Sequence, residues 1–426
     1  MANAPRPDDT PLGRRISRRA VLGSAAAASL GGLAAGVGIG YGVFRDGSSS
    51  ATEAPAAAGG PVIGPVDQQK QRRLRTGLTA WDPSQTFDGF TLFTPLWQRT
   101  AYLLDMNGET VHTWDFPDEA PGVVTLYATI LENGNLFVRL SKNPTQEQIE
   151  GEEGILAELD WDGNTLWRYA DPDQHHDAHV LPNGNLLVLR EEDVPPAVAA
   201  QVQGGIVAPE APPLFSDWVV EVTKEGDVLW EWHAWEHLDP TVHVVNPKDF
   251  RHDWTHANSI EPLPDGNVLI SFRNINTVAI IDRDTGDFAW ELRGDPLAQQ
   301  HDATILENGH VLLFNNAVDR ANETPFDAAP HSDVLEIDPA TDEVVWSYAD
   351  PTQAFFFSPF ISSAQRLANG NTFIAEGNYG RLFEVTSEGE LIWEYISPHF
   401  VQNLLGDNNA IFRAYRYPAE EVPNAG

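Results

Sequence analysis

Six tryptophans close six copies of one short phrase. The copies read Asn-Gly-Glu-Thr-Val-His-Thr-Trp114, Asp-Gly-Asn-Thr-Leu-Trp167, Glu-Gly-Asp-Val-Leu-Trp230, Thr-Gly-Asp-Phe-Ala-Trp290, Thr-Asp-Glu-Val-Val-Trp346 and Glu-Gly-Glu-Leu-Ile-Trp393. Their spacings are 53, 63, 60, 56 and 47 residues. Each Trp ends a short apolar strand behind a tight turn. A repeat of this length made of strands and turns predicts an all-β fold, a β-propeller. The Trp is read as packing between neighbouring blades.

A second phrase interleaves with the first. It reads Leu131-Glu-Asn-Gly-Asn, Leu181-Pro-Asn-Gly-Asn, Leu263-Pro-Asp-Gly-Asn, Leu306-Glu-Asn-Gly-His and Leu367-Ala-Asn-Gly-Asn. Asn-Gly or Asp-Gly between apolar strands is a strong hairpin signal, expected here as a turn with both central residues at positive φ. Each unit is then a four-stranded blade. Five units are complete, over roughly 124–171, 175–235, 255–293, 300–349 and 361–396. The stretch Phe90–Phe116 offers only three strands, and Ala410–Tyr417 is a lone one. Joining the two ends gives a six-bladed β-propeller whose N- and C-terminal strands close one blade and protect both edges. The Pro- and Ala-rich insertion Glu191–Ser216 is expected to overhang one face.

The propeller is expected over 75–420. Ahead of it, Ser17-Arg18-Arg19-Ala20-Val21-Leu22 fits a twin-arginine export signal within residues 1–45. The Ala- and Gly-rich run 20–44 is long enough to serve as a membrane anchor if it is not cleaved. Residues 46–65 read as a flexible linker. The expected location is therefore periplasmic or otherwise extracytoplasmic. The chain has no cysteine, which excludes a disulfide and a thiolate nucleophile. A net charge of −36, with 62 acidic against 26 basic residues, excludes nucleic acid as a partner. It reads as a solvated acidic surface, and any anion site needs local positive charge.

The strand before each Asn-Gly turn is the innermost one. Seven residues back from the turn Asn lie Leu126, His176, His301 and Ser362. The third unit carries two extra residues, Glu261 and Pro262, and on that allowance His256 takes the equivalent place. Three imidazoles then share one level of the central funnel, where a lone buried His is more often a core residue. Asn258 lies two residues beyond His256, on the same side by the period-2 rule. Arg273 follows on the next strand. A His-x-Asn facing an Arg makes an oxyanion clamp. Trp254 and Phe355–Phe357, Phe356 among them, are candidate stacking surfaces for an aromatic substrate at the funnel mouth. Asp177 and Asp302 point the other way and are read as ties between blades. No Gly-Lys dipeptide occurs, so there is no P-loop and no nucleotide-type donor.

Gly89-Phe-Thr-Leu-Phe, Ala101-Tyr-Leu-Leu-Asp through Trp114, His256-Ala-Asn258 with Arg273, Gln300-His301-Asp302, Ser362 through Asn371 and Phe412-Arg-Ala-Tyr-Arg-Tyr417 together resemble the bacterial arylsulfotransferases. The resemblance runs from about residue 75 onward. It implies a six-bladed propeller that moves a sulfuryl group from an aryl sulfate to a phenol with no cofactor. By motif, His301 matches the transiently sulfated nucleophile. His256, Asn258 and Arg273 match the groups that hold the sulfuryl oxygens, and His176 matches a further site histidine. Some family members carry a disulfide and an N-terminal β-rich domain, and this chain has neither. Two other functions fit the residues: a metal site built from the funnel histidines, which Arg273 opposes by charge, and a non-catalytic propeller that binds a partner at the cell surface.

Overall fold

The computed structural model describes residues 75–116, 123–142, 154–209, 211–318, 330–403 and 406–425. The signal, anchor and linker readings lie outside the described residues. Among the described residues no helix is long and apolar enough to cross a membrane.

Six sheets form the six blades of a propeller. Blade 1 is the composite: Ile411–Tyr417 is its inner strand, followed by Phe90–Pro95, Thr100–Leu104 and Thr110–Asp115. Phe90 pairs with Tyr417 and Phe93 with Ala414, so the last strand closes the ring against the first blade. Blade 2 begins at Val123–Ile130, blade 3 at Gln174–Val180, blade 4 at Ala257–Pro262, blade 5 at His301–Ile305 and blade 6 at Ser363–Arg366. Blade 6 gains a fifth, outermost strand, Gly77–Trp81, antiparallel to Leu391–Ile396. The sequence repeat did not signal this strand, because it carries neither a turn nor a terminal Trp of the series. The insertion after blade 3's second strand holds a short helix, Pro196–Ala199, and a strand, Gly204–Ile206, parallel to Val245–Phe250.

The repeat tryptophans do join neighbouring blades. Each indole N–H donates to the next blade's outer turn: Trp114 to the Asp160 carbonyl, Trp167 to Lys224, Trp230 to Arg283, Trp346 to Ser387 and Trp393 to Met106, with Trp290 reaching the Asp342 carboxylate. The pair Trp393–Met106, at 2.9 Å, carries the series across the seam of the ring. Four of the rings also lie under a cation that pairs with a glutamate of the Trp's own blade. These sets are Trp167/Lys224/Glu158, Trp230/Arg283/Glu221, Trp346/Arg366/Glu336 and Trp393/Arg416/Glu384. An indole with one polar edge and an apolar face suits such a boundary.

The inner hairpins differ from expectation in turn type. Asn133 keeps negative φ, and only Gly134 is left-handed, at +78°. Gly134 N donates to the Leu131 carbonyl and the Asn133 side chain accepts from Asn135 N. This is a three-residue loop ending in a left-handed Gly, where the Asn acts through its side chain rather than through its φ.

The same loops correct the register of blade 4. Each inner strand ends on a residue paired to the first of the next strand: Ile130 to Leu136, Val180 to Leu186, Pro262 to Val268, Ile305 to Val311, Arg366 to Thr372 and Tyr417 to Phe90. Blade 4 therefore has no inserted residue before its turn. Four residues back from these ends lie Leu126, His176, Asn258, His301, Ser362 and Arg413. Asn258, not His256, is the counterpart of His176 and His301.

Candidate active site

Bulges interrupt the inner strands where these residues sit, between Val188 and Arg190 on the partner strand of blade 3, Ala257 and Ser259 in blade 4, and His301 and Thr304 in blade 5. A bulge breaks period-2 alternation and re-aims the side chains around it. That is how His256, two residues ahead of the counted position and at φ +47°, still reaches His176. Their rings lie 4.7 Å apart, edge to face. The structure thus brings His176, His256 and His301 together with Arg273, although the count that first placed His256 was wrong by two.

His301 is buried, 3% exposed. Its Nδ1 lies 2.7 Å from Asn316 Oδ1. Asn316 donates both amide hydrogens, to the Ser358 and Ile361 carbonyls, so its oxygen is fixed as the acceptor. The proton of a neutral His301 therefore sits on Nδ1, and the lone pair is on Nε2. Nε2 accepts only a long bond from Ile361 N, at 3.2 Å. Burial, and after it the Arg273 charge, hold the His301 imidazole well below the usual histidine range.

His256 is more open and hydrogen-bonds Asp253 through Nδ1, which turns Nε2 away from that carboxylate. Burial works to raise the Asp253 carboxyl, but the His256 ring beside it outweighs that and holds it low. His176 shares a 2.8 Å contact with His175 through their Nδ1 atoms, and His175 lies 3.0 Å from Asp217. Burial, and then the neighbouring His256, push His176 well below the usual range. Arg273 is aimed by Asp249 at 3.1 Å and by the Asn274 side chain at 2.6 Å. Asn258 donates through Nδ2 to the Gln300 carbonyl, which ties blade 4 to the peptide just before His301. Its Oδ1 is buried without a partner.

Blades 3, 4 and 5 supply this polar half. The opposite half is apolar: Leu96, Leu126, Ile361 and Phe412 are buried together, with Trp97 and Phe360 partly exposed against them. Phe412 lies 6.1 Å from the His176 ring.

Three expected substrate residues are buried. Trp254 is fully buried and donates to the His243 carbonyl, so it offers no face to the funnel. Phe356 is fully buried among Phe314, Tyr348 and Phe383. Ser362 sits at the expected level but is buried, its hydroxyl accepting from Gly377 N. Of the three neighbouring phenylalanines only Phe356 is fully buried, while Phe355 is 73% exposed.

Asp253, Asn316, His175 and Asp249 were missed. Asp253, Asn316 and Asp249 act across a turn or a blade boundary, and His175 acts on the histidine next to it in the chain. Arg413 was also missed, although the blade register would have found it had its strand carried a turn. Among the described residues, no group of three or more His, Asp or Glu side chains is arranged to hold a metal ion.

The family model described as arylsulfotransferase (ASST) matches residues 130–398. No functionally curated protein matches the chain. Similar solved structures include a protein of unknown function from Bacteroides caccae, at 15% identity over 78% of this chain and 99% of that one, with a TM-score of 0.48. They also include virginiamycin B lyase from Staphylococcus aureus, at 12% identity over 76% and 84% of the two chains, with a TM-score of 0.42. The family match spans well over half of the chain and includes His176, His256, Asn258, Arg273 and His301, and the chain belongs to the arylsulfotransferase family.

Proposed function

We propose that the protein moves a sulfuryl group from an aryl sulfate to a phenol, without a nucleotide donor, through His301. The observation that carries this reading is the Asn316–His301 pair, which leaves a neutral, buried imidazole with its lone pair on Nε2 beside Arg273. Sulfuryl transfer, like phosphoryl transfer, depends mostly on positioning and charge stabilisation.

In the first half-reaction the Nε2 lone pair forms an N–S bond as the sulfur–oxygen bond to the donor aryl group breaks. The long Ile361 N–H contact gives way as this bond forms. Arg273 and His256 stabilise the non-bridging oxygens, and His256 gives its Nε2 proton to the departing phenolate. In the second half-reaction His256 takes the acceptor's phenolic proton. The acceptor oxygen then bonds to sulfur, the N–S bond breaks, and neutral His301 returns. The Nδ1 proton stays on His301 throughout, held by Asn316. The apolar half of the funnel, Leu126, Phe412, Trp97 and Phe360, suits the aryl groups of donor and acceptor. The Arg18-Arg19 signal motivates a location outside the cytoplasm, which fractionation of the natural host would test.

The deciding experiment is intact-mass measurement after exposure to 4-nitrophenyl sulfate alone. One added sulfuryl group is expected on the wild type and none on His301→Ala. An unmodified wild type that also releases no 4-nitrophenol in the presence of phenol would sink the proposal.

A further inference from the structure

A buried charge lies at the ring centre and belongs to the strand that closes it. Arg413, on the inner strand of blade 1, is 3% exposed and reaches three other blades. Its Nη1 lies 3.0 Å from Asp177 Oδ2 of blade 3, its Nη2 donates at 2.5 Å to the Asn258 carbonyl of blade 4, and its Nε lies 3.2 Å from Asp302 Oδ1 of blade 5. Those are the blades that carry His176, His256 and His301. The partners sit beside the site: Asp177 follows His176, Asp302 follows His301, and Asn258 follows His256 by two.

The carboxylates extend the tie. Asp177 Oδ2 also accepts from Ile260 N of blade 4, and its Oδ1 accepts from the Tyr127 hydroxyl of blade 2. Tyr415, two residues past Arg413, donates its hydroxyl to Asp302 at 3.1 Å. Buried carboxylates without a compensating cation would repel one another across the axis. A planar guanidinium with N–H groups pointing several ways can meet three acceptors at once, which an ammonium cannot do in the same geometry.

We propose that Arg413 is a positioning residue that fixes the angular register of blades 3, 4 and 5, and so sets the spacing of the three histidines. It does not touch substrate, because its Nε, Nη1 and Nη2 are each engaged by the blades. The proposal rests on the sulfuryl-transfer reading for its kinetic consequence, but not for its structural one. Arg413 also adds positive charge near His301, alongside Arg273 of blade 4; the titratable rings facing it are His256 of blade 4 and His176 of blade 3, and Asp302 is the adjacent carboxylate.

The test compares full-length wild type, Arg413→Lys and Arg413→Met. Arg413→Lys keeps the charge and loses the three-way geometry. It is expected to stay folded by circular dichroism and to lose at least about 10-fold in kcat for 4-nitrophenyl sulfate to phenol transfer, with the acid limb of the pH profile unmoved. A folded Arg413→Lys with wild-type kcat would overturn the proposal. Histidine-selective NMR titration supplies a readout that needs no turnover. Without the Arg413 charge, the His301 midpoint should move to higher pH in Arg413→Met, and in Arg413→Lys the His301 and His256 ring resonances should shift without that move. Unchanged histidine resonances in Arg413→Lys would also overturn it. If the wild type transfers no sulfuryl group, the function proposal falls while the NMR comparison still decides the role of Arg413.

Discussion

Asn316 holds the Nδ1 edge of His301 at 2.7 Å, and two carbonyls of the chain around Ser358 and Ile361 hold Asn316. The acceptor's orientation is thus set from blade 6's approach loop, and the proton position on His301 follows from it. Asn316→Leu should release that tautomer and lower kcat by about 10²-fold with little change in KM. Asn316→Asp should instead favour the imidazolium and move the acid limb of kcat/KM to higher pH. A pH–rate series on both variants checks the pair, and equal profiles for wild type and Asn316→Asp would contradict it.

In the wild type, burial and Arg273 keep His301 neutral below the ordinary histidine range. Loss of activity from protonating His301 is therefore expected below about pH 6.5, the usual histidine value. The sign follows from linkage: a lowered pKa means the proton is bound only at lower pH. Formation of the sulfuryl adduct in a single turnover, followed across pH 4 to 8, measures it without the acceptor step.

Asp253 orients His256 through Nδ1. Asp253→Asn keeps the shape and removes the carboxylate that holds His256 Nδ1. A drop in kcat of about 10²-fold is expected for acceptors with a high phenol pKa, and less for acidic phenols, which need little proton removal. A flat dependence on acceptor pKa in the wild type would speak against His256 as the acid–base group.

Trp97 stands at the rim of the apolar half with φ +65°, a conformation bulky residues adopt rarely. Trp97→Ala removes an aromatic face worth about 1 kcal/mol to a stacked ring. KM for 4-nitrophenyl sulfate should rise several-fold while kcat holds. Initial-rate kinetics decide it, and an unchanged KM would place the aryl group elsewhere.

Glu261 accepts from Ile305 N at 2.6 Å, and burial pushes its carboxyl up to about 7. Between about pH 4.5 and 7 the folded chain holds a proton there that the unfolded chain does not, so its contribution to stability declines as pH rises through that window. Glu261→Gln should melt like wild type near pH 4.5 and be more stable at pH 8, on the order of 2 kcal/mol after allowing for partial exposure. Thermal melts at the two pH values measure the difference.

The tryptophans, the Asn-Gly turns and the lone C-terminal strand made the six-bladed ring legible, because each blade's pattern is local and recurs. His176 and His301 were legible for the same reason, and Arg273 from its place on the strand after His256-Ala-Asn258. Trp254 and Phe356 misled because aromatic residues in a loop look alike whether the loop folds inward or outward, and both are fully buried. Arg413 was legible only as part of the Phe412–Tyr417 motif, since its strand has no turn from which to count its level.

The ring follows from local pattern: a strand-and-turn unit cannot bury its apolar faces alone, so six copies must stack and the ends must meet. The aim of the side chains at the centre follows from long-range contacts instead. Bulges shifted His256 into contact with His176, Asn316 chose the proton position on His301, and Arg413 joined three blades from the far side of the axis. Those relationships join residues 15 to 236 positions apart, so no local spacing encodes them. They exist only once the ring has closed.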